Sequence, residues 1–372
     1  MGQAFGPRPA RHRVCLLSGT AASQARRAAQ AVDALRHGWP IRVREAPVLQ
    51  PVETACREDL RGARMLISAS RAATLKLANQ REAAVPHQPV LMRGVGDFDI
   101  PAAMAVADPA LDLRTPLKGP FKALALEWAE EAAAALELAR IAGILPAFLV
   151  DPVGADEALQ VSPADLADYA DPAHLLIAAR ARLPVTATAD AEIIAFRSPA
   201  DTREHIALVI GSRSADKPPL VRLHSECLTG DVLGSLKCDC GPQLDGALAA
   251  MAMESTTGGW GVLLYMRQEG RGIGLINKLR AYRLQDQGFD TLEANTRLGL
   301  PEEARDFPTA ARMLELMNIA RIRLMTNNPA KLEALAAQGV EVVEHVPHAL
   351  PDNPHNIRYL ATKRDRAGHL LP

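Results

Sequence analysis

Three of the five cysteines, Cys227, Cys238 and Cys240, lie within fourteen positions of the chain. Cys238 and Cys240 would place two thiols on one tight turn, and Gly241 would let the backbone bend sharply after them. Cys227 would bring a third thiol from the end of a predicted strand. The odd number of cysteines and the lack of a secretory signal argue against a disulfide framework. The cluster therefore indicates metal binding or redox chemistry.

Zinc is the metal that suits this cluster, because it binds thiolates at tetrahedral positions. Three protein ligands leave one position for water, which is the pattern of catalytic zinc sites, and zinc lowers the pKa of such a water to near neutrality. Two alternatives remain open: a structural zinc with His224 as the fourth ligand, and a redox or incidental thiol cluster. The sequence favours catalytic zinc, because structural modules usually contain two paired motifs and one half of that pair is missing here.

A glycine-rich segment, residues 266–275, follows the cysteines and leads into a predicted helix. Three alternating glycines before a helix expose backbone N–H groups that can bind an anion. Arg267 and Arg271 can add bidentate contacts to phosphate. The segment matches neither the P-loop nor the dinucleotide fingerprint, so a tight turn with solvated arginines remains the alternative.

Two later segments carry further polar groups. Residues 298–307 contain Glu303 and Arg305, which are either a pair for proton transfer and charge stabilisation or part of a solvated loop. Residues 325–331 place a hydroxyl, two amides and the Lys331 amine after a buried strand, where ligand sites of α/β proteins usually lie. Residue chemistry alone therefore predicts a zinc hydrolase that acts on a phosphorylated substrate.

The chain has 372 residues, enough for two domains at roughly 150 residues each. A net charge of −1 removes bulk attraction to nucleic acid, and an aromatic content of 4% argues against a series of base-stacking platforms. No stretch is apolar enough to span a bilayer, and no signal peptide is found. We therefore expect a cytoplasmic protein without nucleic-acid or membrane partners.

The two halves of the chain differ in texture, and the predicted fold class is mixed α/β. The first half is rich in Ala, Leu and Arg; its predicted elements are helices over 21–36, 68–79, 121–143 and 172–182 and a strand at 63–69. Elements predicted in the second half are strands near 186–197, 204–211, 220–225, 261–266 and 322–325 and helices near 243–254, 275–287 and 309–316. The predicted domains are residues 1–180 and residues 183–372.

The second half contains five distinctive sequence blocks, one after another. They are His-Ser-Glu-Cys-Leu-Thr-Gly-Asp at 224–231, Cys-Asp-Cys-Gly at 238–241, Arg-Gln-Glu-Gly-Arg at 267–271, Ala-Tyr-x-Leu-Gln-Asp at 281–286 and Thr-Asn-Asn-Pro at 326–329. Over residues 183–371 they resemble GTP cyclohydrolase II, the enzyme that opens riboflavin biosynthesis. The resemblance implies a zinc domain of that family, preceded by a smaller α/β domain.

This resemblance implies hydrolysis of GTP to 2,5-diamino-6-ribosylamino-4(3H)-pyrimidinone 5′-phosphate, formate and pyrophosphate. It further implies one zinc ion per subunit on Cys227, Cys238 and Cys240, magnesium with the triphosphate, and a homodimer. The residues that match the family's GTP-binding positions are Arg222, Leu223, His224, Ser225, Glu226, Gln243, Glu269, Gly270, Arg271, Thr291, Thr326 and Lys331.

Three more residues match catalytic positions of the family. Tyr282 matches a tyrosine that is linked to completing the hydrolysis, so that formate is released. Arg305 matches an arginine assigned to attack the α-phosphate, but a guanidinium stays protonated, and we predict charge stabilisation instead. Glu303 stands where the family usually has an Asp as proton acceptor. The added methylene moves the carboxylate by about 1 Å, which can cost about a hundredfold in rate, and we expect the loop to compensate.

The first half bears only a faint resemblance, carried by residues 31–38 and 70–75, to 3,4-dihydroxy-2-butanone-4-phosphate synthase. The acidic, magnesium-binding segment of that enzyme is missing, because residues 42–47 read Arg-Val-Arg-Glu-Ala-Pro. We therefore expect a degenerate synthase-like or accessory domain. For the whole chain, two other functions remain open: a related enzyme that opens the ring of another nucleotide, and a weakly active nucleotide-binding regulator.

Overall fold

The structure, a computed structural model, describes residues 21–214, 216–350, 353, 354, 356, 361, 364 and 365. Within these residues the chain forms two seven-stranded sheets with helices packed on them, which confirms the predicted mixed α/β class. The first sheet contains β1 (Ile41–Val43), β2 (Leu49–Pro51), β3 (Arg61–Ile67), β4 (Val90–Asp99), β5 (Lys122–Leu124), β6 (Ala147–Val150) and β7 (Leu159–Val161). The second contains β8 (Leu176–Arg182), β9 (Ala191–Arg197), β10 (Glu204–Ile210), β11 (Leu220–Ser225), β12 (Gly261–Met266), β13 (Arg321–Met325) and β14 (Glu341–Val346).

Eleven α-helical segments are assigned within the described residues. They are α1 (Ala21–Arg36), α2 (Ala69–Thr74), α3 (Ile100–Ala107), α4 (Ala129–Ala142), α5 (Pro163–Tyr169), α6 (Cys240–Thr256), α7 (Glu269–Gly272), α8 (Leu275–Asp286), α9 (Thr291–Arg297), α10 (Phe307–Leu316) and α11 (Pro329–Ala337). Some helices begin at side-chain caps: the Asp290 side chain accepts from the backbone N–H of Glu293 and the Glu293 side chain from that of Asp290, which fixes the start of α9.

The first sheet runs in the order β5-β4-β3-β6-β2-β1-β7 and is antiparallel except for the pair of β1 and β7. On one face, α1 and α4 bury alanine and leucine side chains such as Ala28, Leu35 and Leu138. The opposite face packs partly against helices of the second half of the chain, because Ala281 of α8 and Ala294 of α9 belong to the same buried cluster as β3 and β4. The two halves thus share part of their hydrophobic core.

The second sheet runs in the order β14-β13-β11-β12-β10-β9-β8. The strands β8, β9, β10 and β12 pair in antiparallel fashion, whereas β12, β11, β13 and β14 are parallel. Short apolar runs such as 261–266 suit strands that are covered on both faces. Helix α10 packs on one face through Met313 and Leu314, and α6 packs on the other through Ala247 and Met251.

Several predicted elements have the observed bounds, and others are wrong. The helix at 21–36 and the strands at 220–225 and 261–266 are confirmed without a shift. The helix predicted at 172–182 is wrong: a 3-10 turn at Pro172–His174 is followed by β8, whose alternating Ala and Arg residues suit an exposed edge strand. The helix predicted at 121–143 begins only at Ala129, since residues 122–124 form β5.

None of the helices in the described part of the chain combines the length and the hydropathy that crossing a lipid bilayer requires.

Candidate active site

The carboxyl ends of β12, β11 and β13 meet at one edge of the second sheet, because these three strands are parallel neighbours. A cleft opens at this edge, where open α/β sheets usually bind their ligands. Of the residues predicted for the site, Glu303 does not line the cleft. Those that line it are Arg222, Leu223, His224, Ser225, Glu226, Cys227, Cys238, Cys240, Gln243, Glu269, Gly270, Arg271, Tyr282, Thr291, Arg305, Thr326 and Lys331.

At one end of the cleft the three thiols converge. The Sγ atoms of Cys227, Cys238 and Cys240 lie within 4.8 Å of one another, and those of Cys227 and Cys238 are 3.7 Å apart. Tetrahedral zinc with Zn–S bonds of about 2.3 Å holds two sulfurs about 3.8 Å apart. A Cβ atom at Gly230 would lie 2.9 Å from the Cys238 Sγ and 3.0 Å from the Cys227 Sγ, so only glycine leaves this space open. The donor set and its spacing fit zinc.

The imidazole of His224 stands apart from the thiols. Its Nε2 lies 3.1 Å from both carboxylate oxygens of Asp231, and its ring stacks on Tyr265 at 5.6 Å between centroids. Asp231 also accepts hydrogen bonds from the Tyr265 hydroxyl at 2.9 Å and from the Cys227 backbone N–H at 3.0 Å. His224 therefore orients the loop of Cys227 through Asp231, and this geometry does not support the structural-zinc alternative that needs His224 as a ligand.

A lysine that the sequence analysis did not single out lies against the thiols. Lys278 Nζ is 3.0 Å from the Cys227 Sγ and 2.8 Å from Glu269 Oε1. Contacts with the Cys238 and Cys240 thiols, together with the bond from Lys278, hold the pKa of Cys227 well below its usual range. Burial would lower the pKa of Lys278, but its bonds to Cys227 and Glu269 raise it. The pair is therefore a thiolate and an ammonium, and a thiolate is the form that binds a metal.

The glycine-rich segment forms the single turn α7 and a left-handed connection into α8. Gly270, Arg271, Gly272 and Gly274 all have positive φ, at 62°, 61°, 89° and 85°. Arg271 is the exceptional one, because a side chain in this region costs of order 1 kcal/mol. A Cβ atom at Gly272 would lie 2.2 Å from the Ala304 backbone oxygen, so the turn packs directly against the loop that carries Glu303 and Arg305.

Buried cations and amides form the floor of the cleft. The Arg222 guanidinium donates to the Gln243 side-chain oxygen, and Gln243 donates to Asp239 at 2.6 Å. Lys331 Nζ donates to the Leu223 backbone oxygen at 2.8 Å. Burial lowers the pKa of Arg222 to about 10, still high enough for it to be charged at neutral pH. Within the described residues, the Nε of Arg222 has no hydrogen-bond partner.

Glu303 and Arg305 lie together, but only Arg305 lines the cleft. The guanidinium Nε donates to both Glu303 carboxylate oxygens, at 2.7 and 2.9 Å, and Nη2 donates as well. The Glu303 side chain is 41% exposed and that of Arg305 is 11% exposed. Burial tends to raise the pKa of Glu303, but the bonds from Arg305 outweigh it and the pKa is lowered. The structure thus shows a carboxylate that orients Arg305.

Tyr282 and Thr291 approach the cleft from α8 and α9. The Tyr282 hydroxyl lies 3.4 Å from the Thr229 hydroxyl, and burial raises the pKa of this phenol to about 12. Tyr282 is therefore a hydrogen-bond donor at neutral pH. Thr291, at the first position of α9, accepts a hydrogen bond from the Gln285 amide at 3.1 Å.

Eight further residues line the cleft, two of which, Asn327 and Asn328, are the amides noted in the sequence after the buried strand. The other six are Asp239, Ile273, Lys278, Ala281, Gln285 and Asn295. Lys278 and Gln285 could have been predicted from their spacing to Tyr282. Lys278 precedes Tyr282 by four positions and Gln285 follows it by three, so all three lie on one face of a helix. Asn295 lies on α9, which carries Thr291, and nothing in its sequence surroundings indicates a site.

Comparison with known proteins identifies the family. A sequence profile described as GTP cyclohydrolase II matches residues 177–347. A GTP cyclohydrolase-2 from Azospirillum brasilense is 45% identical over 284 residues, which cover 72% of this chain and 72% of that protein. This chain is an enzyme of the GTP cyclohydrolase II family. The resemblance predicted from the sequence blocks is confirmed.

Other relatives carry the name riboflavin biosynthesis protein RibBA. The one from Cytophaga hutchinsonii is 44% identical over 256 residues, or 64% of this chain and 62% of that protein. The one from Bacillus cereus strain ATCC 14579 is 46% identical over 256 residues, 64% of each chain. This GTP cyclohydrolase II family member thus spans slightly less than two thirds of the RibBA proteins.

One solved structure is also similar, a two-domain 3,4-dihydroxy-2-butanone 4-phosphate synthase from A. baumannii called RibBX. The match covers 86% of this chain and 99% of that chain, at 18% identity and a TM-score of 0.29. A likeness this weak supports no conclusion about the first half of the chain.

Proposed function

We propose that this chain hydrolyses GTP to 2,5-diamino-6-ribosylamino-4(3H)-pyrimidinone 5′-phosphate, formate and pyrophosphate, the first step of riboflavin biosynthesis. The observation that carries the proposal is one cleft with a three-thiol cluster at one end and arginine and lysine side chains along its walls. A hydrolytic metal and cations for a triphosphate are the two requirements of this reaction. Membership of the GTP cyclohydrolase II family supports the choice of GTP.

When bound by Cys227, Cys238 and Cys240, zinc would supply Lewis-acid activation of water for attack on the imidazole carbon of the guanine base. The Cys238 and Cys240 thiols and the bond from Lys278 together favour the thiolate form of Cys227, which such a metal needs. Tyr282, whose hydroxyl remains protonated, can donate a hydrogen bond to the nitrogen or oxygen that gains charge as the ring opens. This role is consistent with complete hydrolysis, in which formate leaves.

At the phosphate end, Arg271 and Arg305 would bind the triphosphate and stabilise charge as pyrophosphate departs. Glu303 belongs to this catalytic set as the carboxylate that orients Arg305. As the exposed partner of a guanidinium it is a weak base, so the role of proton acceptor would require the pair to separate on GTP binding.

Magnesium would enter with the triphosphate as part of the substrate. Each carboxylate that lines the cleft already has a partner: Glu226 accepts from Arg267 at 3.0 Å, Glu269 from Lys278 at 2.8 Å and Asp239 from Gln243 at 2.6 Å. A divalent cation on the phosphate oxygens neutralises charge and helps the leaving group depart.

Formate release from GTP by zinc-loaded protein, with magnesium present, tests the proposal. We expect turnover in the native chain, and loss of both zinc binding and turnover in Cys238→Ser. Cys56→Ser is the matched control, because Cys56 is an exposed thiol outside the cluster and its loss is expected to change neither quantity. If GTP is bound without formate release while another purine nucleotide is opened, GTP is the wrong substrate; if no nucleotide is turned over, the proposal fails as a whole.

We also propose that residues 1–180 are an accessory domain without a reaction of their own, and that residues 183–372 are the cyclohydrolase domain. One cluster of charged groups in the first half is paired internally: Arg71 donates to Asp112 at 2.7 and 2.8 Å, and Lys118 donates to Asp112 at 2.5 Å. Formation of 3,4-dihydroxy-2-butanone 4-phosphate from ribulose 5-phosphate by the full chain would overturn this part. The homodimer and the cytoplasmic location stay predictions.

A further inference from the structure

The first domain packs against two elements that form the active-site cleft, the glycine-rich turn and α8. Ile273, Ala281 and Leu284 belong to one buried apolar cluster with Val52 and Leu145 of the first half. A shared cluster of this kind fixes the distance between two elements, because protein interiors are close-packed and deform little. The first domain therefore fixes the position of α8 through one face of the helix, and the face towards the cleft carries Lys278 and Tyr282.

A hydrogen bond from α4 reaches the turn itself. Arg140 Nη1 donates to the Gly272 backbone oxygen at 2.6 Å. Glu137, one turn earlier on α4, accepts from Arg140 Nε at 2.7 Å and from Nη2 at 2.5 Å, so the guanidinium is held in a fixed direction. The Arg140 side chain is 15% exposed, and water therefore competes only weakly for this contact.

A second set of contacts holds the start of α8. Glu53 accepts two hydrogen bonds from Arg280, at 2.9 and 3.0 Å, and a third from the Leu145 backbone N–H at 2.6 Å. Arg280 in turn donates to Asn277 at 2.9 Å. The fully buried Asn277 donates to the backbone oxygens of Ile273, at 3.1 Å, and Gly143, at 3.4 Å. These bonds connect the first domain to the residue that follows Gly272.

The turn needs such support because its conformation is unfavourable for the chain alone. Four of its residues have positive φ, one of them Arg271, and conformations of this kind persist where the surroundings over-determine them. One side of the turn rests on Ala304, and the other side receives the Arg140 bond. Loss of either contact would let Arg271 move relative to Tyr282.

We propose that Arg140 and Glu53 of the first domain are positioning residues for the GTP site, which they serve by holding residues 269–274 and α8 in place. The inference rests on the proposed function, in which Arg271 binds the triphosphate and Tyr282 assists ring opening. It gives the first domain a mechanical role in a reaction that takes place in the second.

The test compares Arg140→Met, Arg140→Lys and Arg44→Met in the full-length, zinc-loaded chain. Arg44 is the matched control, because it pairs with Glu130 and Glu131 at the opposite end of α4 and touches no part of the cleft. Hydrogen–deuterium exchange over residues 268–275 reports on the turn, and kcat and KM for GTP report on the site. Zinc content and melting temperature show whether the fold is intact.

For Arg140→Met we expect faster exchange over 268–275 and a fall of about tenfold in kcat/KM, since small misplacements of a binding group are costly. The KM should change more than kcat, because Arg271 acts in binding. Arg140→Lys should restore part of the loss, as its ammonium can donate to the same oxygen. Glu53→Gln should reproduce the effect at the start of α8, which protects the test if Arg140→Met folds poorly.

Exchange that is equal in Arg140→Met and Arg44→Met would overturn the inference, whatever the activity. If instead the native chain proves inactive on GTP while exchange over 268–275 still rises in Arg140→Met, the positioning role stands and the proposed function falls. A fall in melting temperature with unchanged exchange and unchanged KM would show that Arg140 stabilises the fold only.

Discussion

Both sheets have seven strands, yet they differ in what their topology collects at their edges. In the first sheet, all neighbours but β1 and β7 are antiparallel, so the segments that follow successive strands go to opposite edges. In the second, β12, β11 and β13 are parallel, so the segments after Ser225, Met266 and Met325 all reach the same edge. The parallel direction of these strands therefore brings the residues of the site together in one cleft.

The charges follow the same division. In the first half, the largely buried Arg71 and Lys118 both pair with Asp112, so the charges of this cluster are used within it. In the cleft, the buried Nε of Arg222 finds no partner within the described residues, and Arg305 is held by a carboxylate that lies outside the cleft. The paired cluster of Arg71, Asp112 and Lys118 thus serves stability, whereas the cations of the cleft line a surface that a ligand can reach.

The largest expected effect is that of Arg305→Met. Because Arg305 lines the cleft and is held in place by Glu303, its loss should lower kcat for formate release by about a thousandfold, as removal of a preorganised transition-state contact does. Arg312→Met is the control: Arg312 lies on α10 and pairs with Glu315. Steady-state kinetics of both variants test this prediction, and equal kcat values for formate release would show that Arg305 is not a catalytic residue.

A smaller loss is expected for Lys278→Met. Its Nζ contacts the Cys227 Sγ at 3.0 Å and Glu269 Oε1 at 2.8 Å, so zinc affinity or activity should fall by about a hundredfold. Lys237→Met provides the comparison, since Lys237 lies over the same Tyr282 ring, at 5.4 Å, but pairs with the exposed Asp286. Chelator competition measures zinc affinity; if the two variants bind zinc equally well, the contact with Cys227 has no role in the metal site.

In the first domain, Asp112→Asn should affect stability and leave the kinetics alone. Burial tends to raise the pKa of Asp112, but its bonds to Arg71 and Lys118 lower it. Removing the charge leaves two cations without their shared partner, and we expect the free energy of unfolding to fall by about 2 kcal/mol. Urea denaturation measures this, with the exposed Asp59→Asn as control. A change of more than about twofold in KM for GTP would mean that this cluster also acts on the GTP site.

The smallest expected effect concerns His205, behind the glycine-rich turn, whose Nδ1 accepts from the Arg267 backbone N–H at 3.1 Å. Burial lowers its pKa to about 4, below the unfolded value near 6.5. The folded state therefore gains full stability above about pH 6.5 and loses it as the pH falls towards 4. Between pH 7 and 5.5 the native chain should lose about 1 kcal/mol more than His205→Asn, which keeps an acceptor but does not titrate.

Thermal or urea unfolding at the two pH values checks this prediction. An equal loss in the native chain and in His205→Asn would mean that another group controls the acid sensitivity of the turn.

The sequence predicted the structure best where burial of a strand or the spacing of the thiols left few alternatives. The strands at 220–225 and 261–266 were predictable because apolar runs bounded by turns suit buried parallel strands, and the three thiols because their spacing is rare outside metal sites. The prediction of a helix at residues 172–182 was wrong because alanine favours helices. In the structure, Ile177 pairs with Phe196 of the neighbouring strand, and this long-range pairing stabilises a strand instead.

Within the site, the parts that sequence missed depend on long-range contacts. The loop of Glu303 and Arg305 packs on Gly272 through Ala304, and the spacing of the two residues does not indicate that only Arg305 lines the cleft. The contact of Arg140 with Gly272 joins positions 132 residues apart, and no local pattern in either segment indicates it.

The most direct test of the central claim, that the cleft of the second sheet opens the guanine ring of GTP, is the product balance of the zinc-loaded chain with magnesium. Formate, pyrophosphate and consumed GTP would be measured in the same samples. We predict that formate and pyrophosphate appear in equal amounts and together account for the GTP consumed. GTP consumption that yields inorganic phosphate or pyrophosphate without formate would contradict the claim.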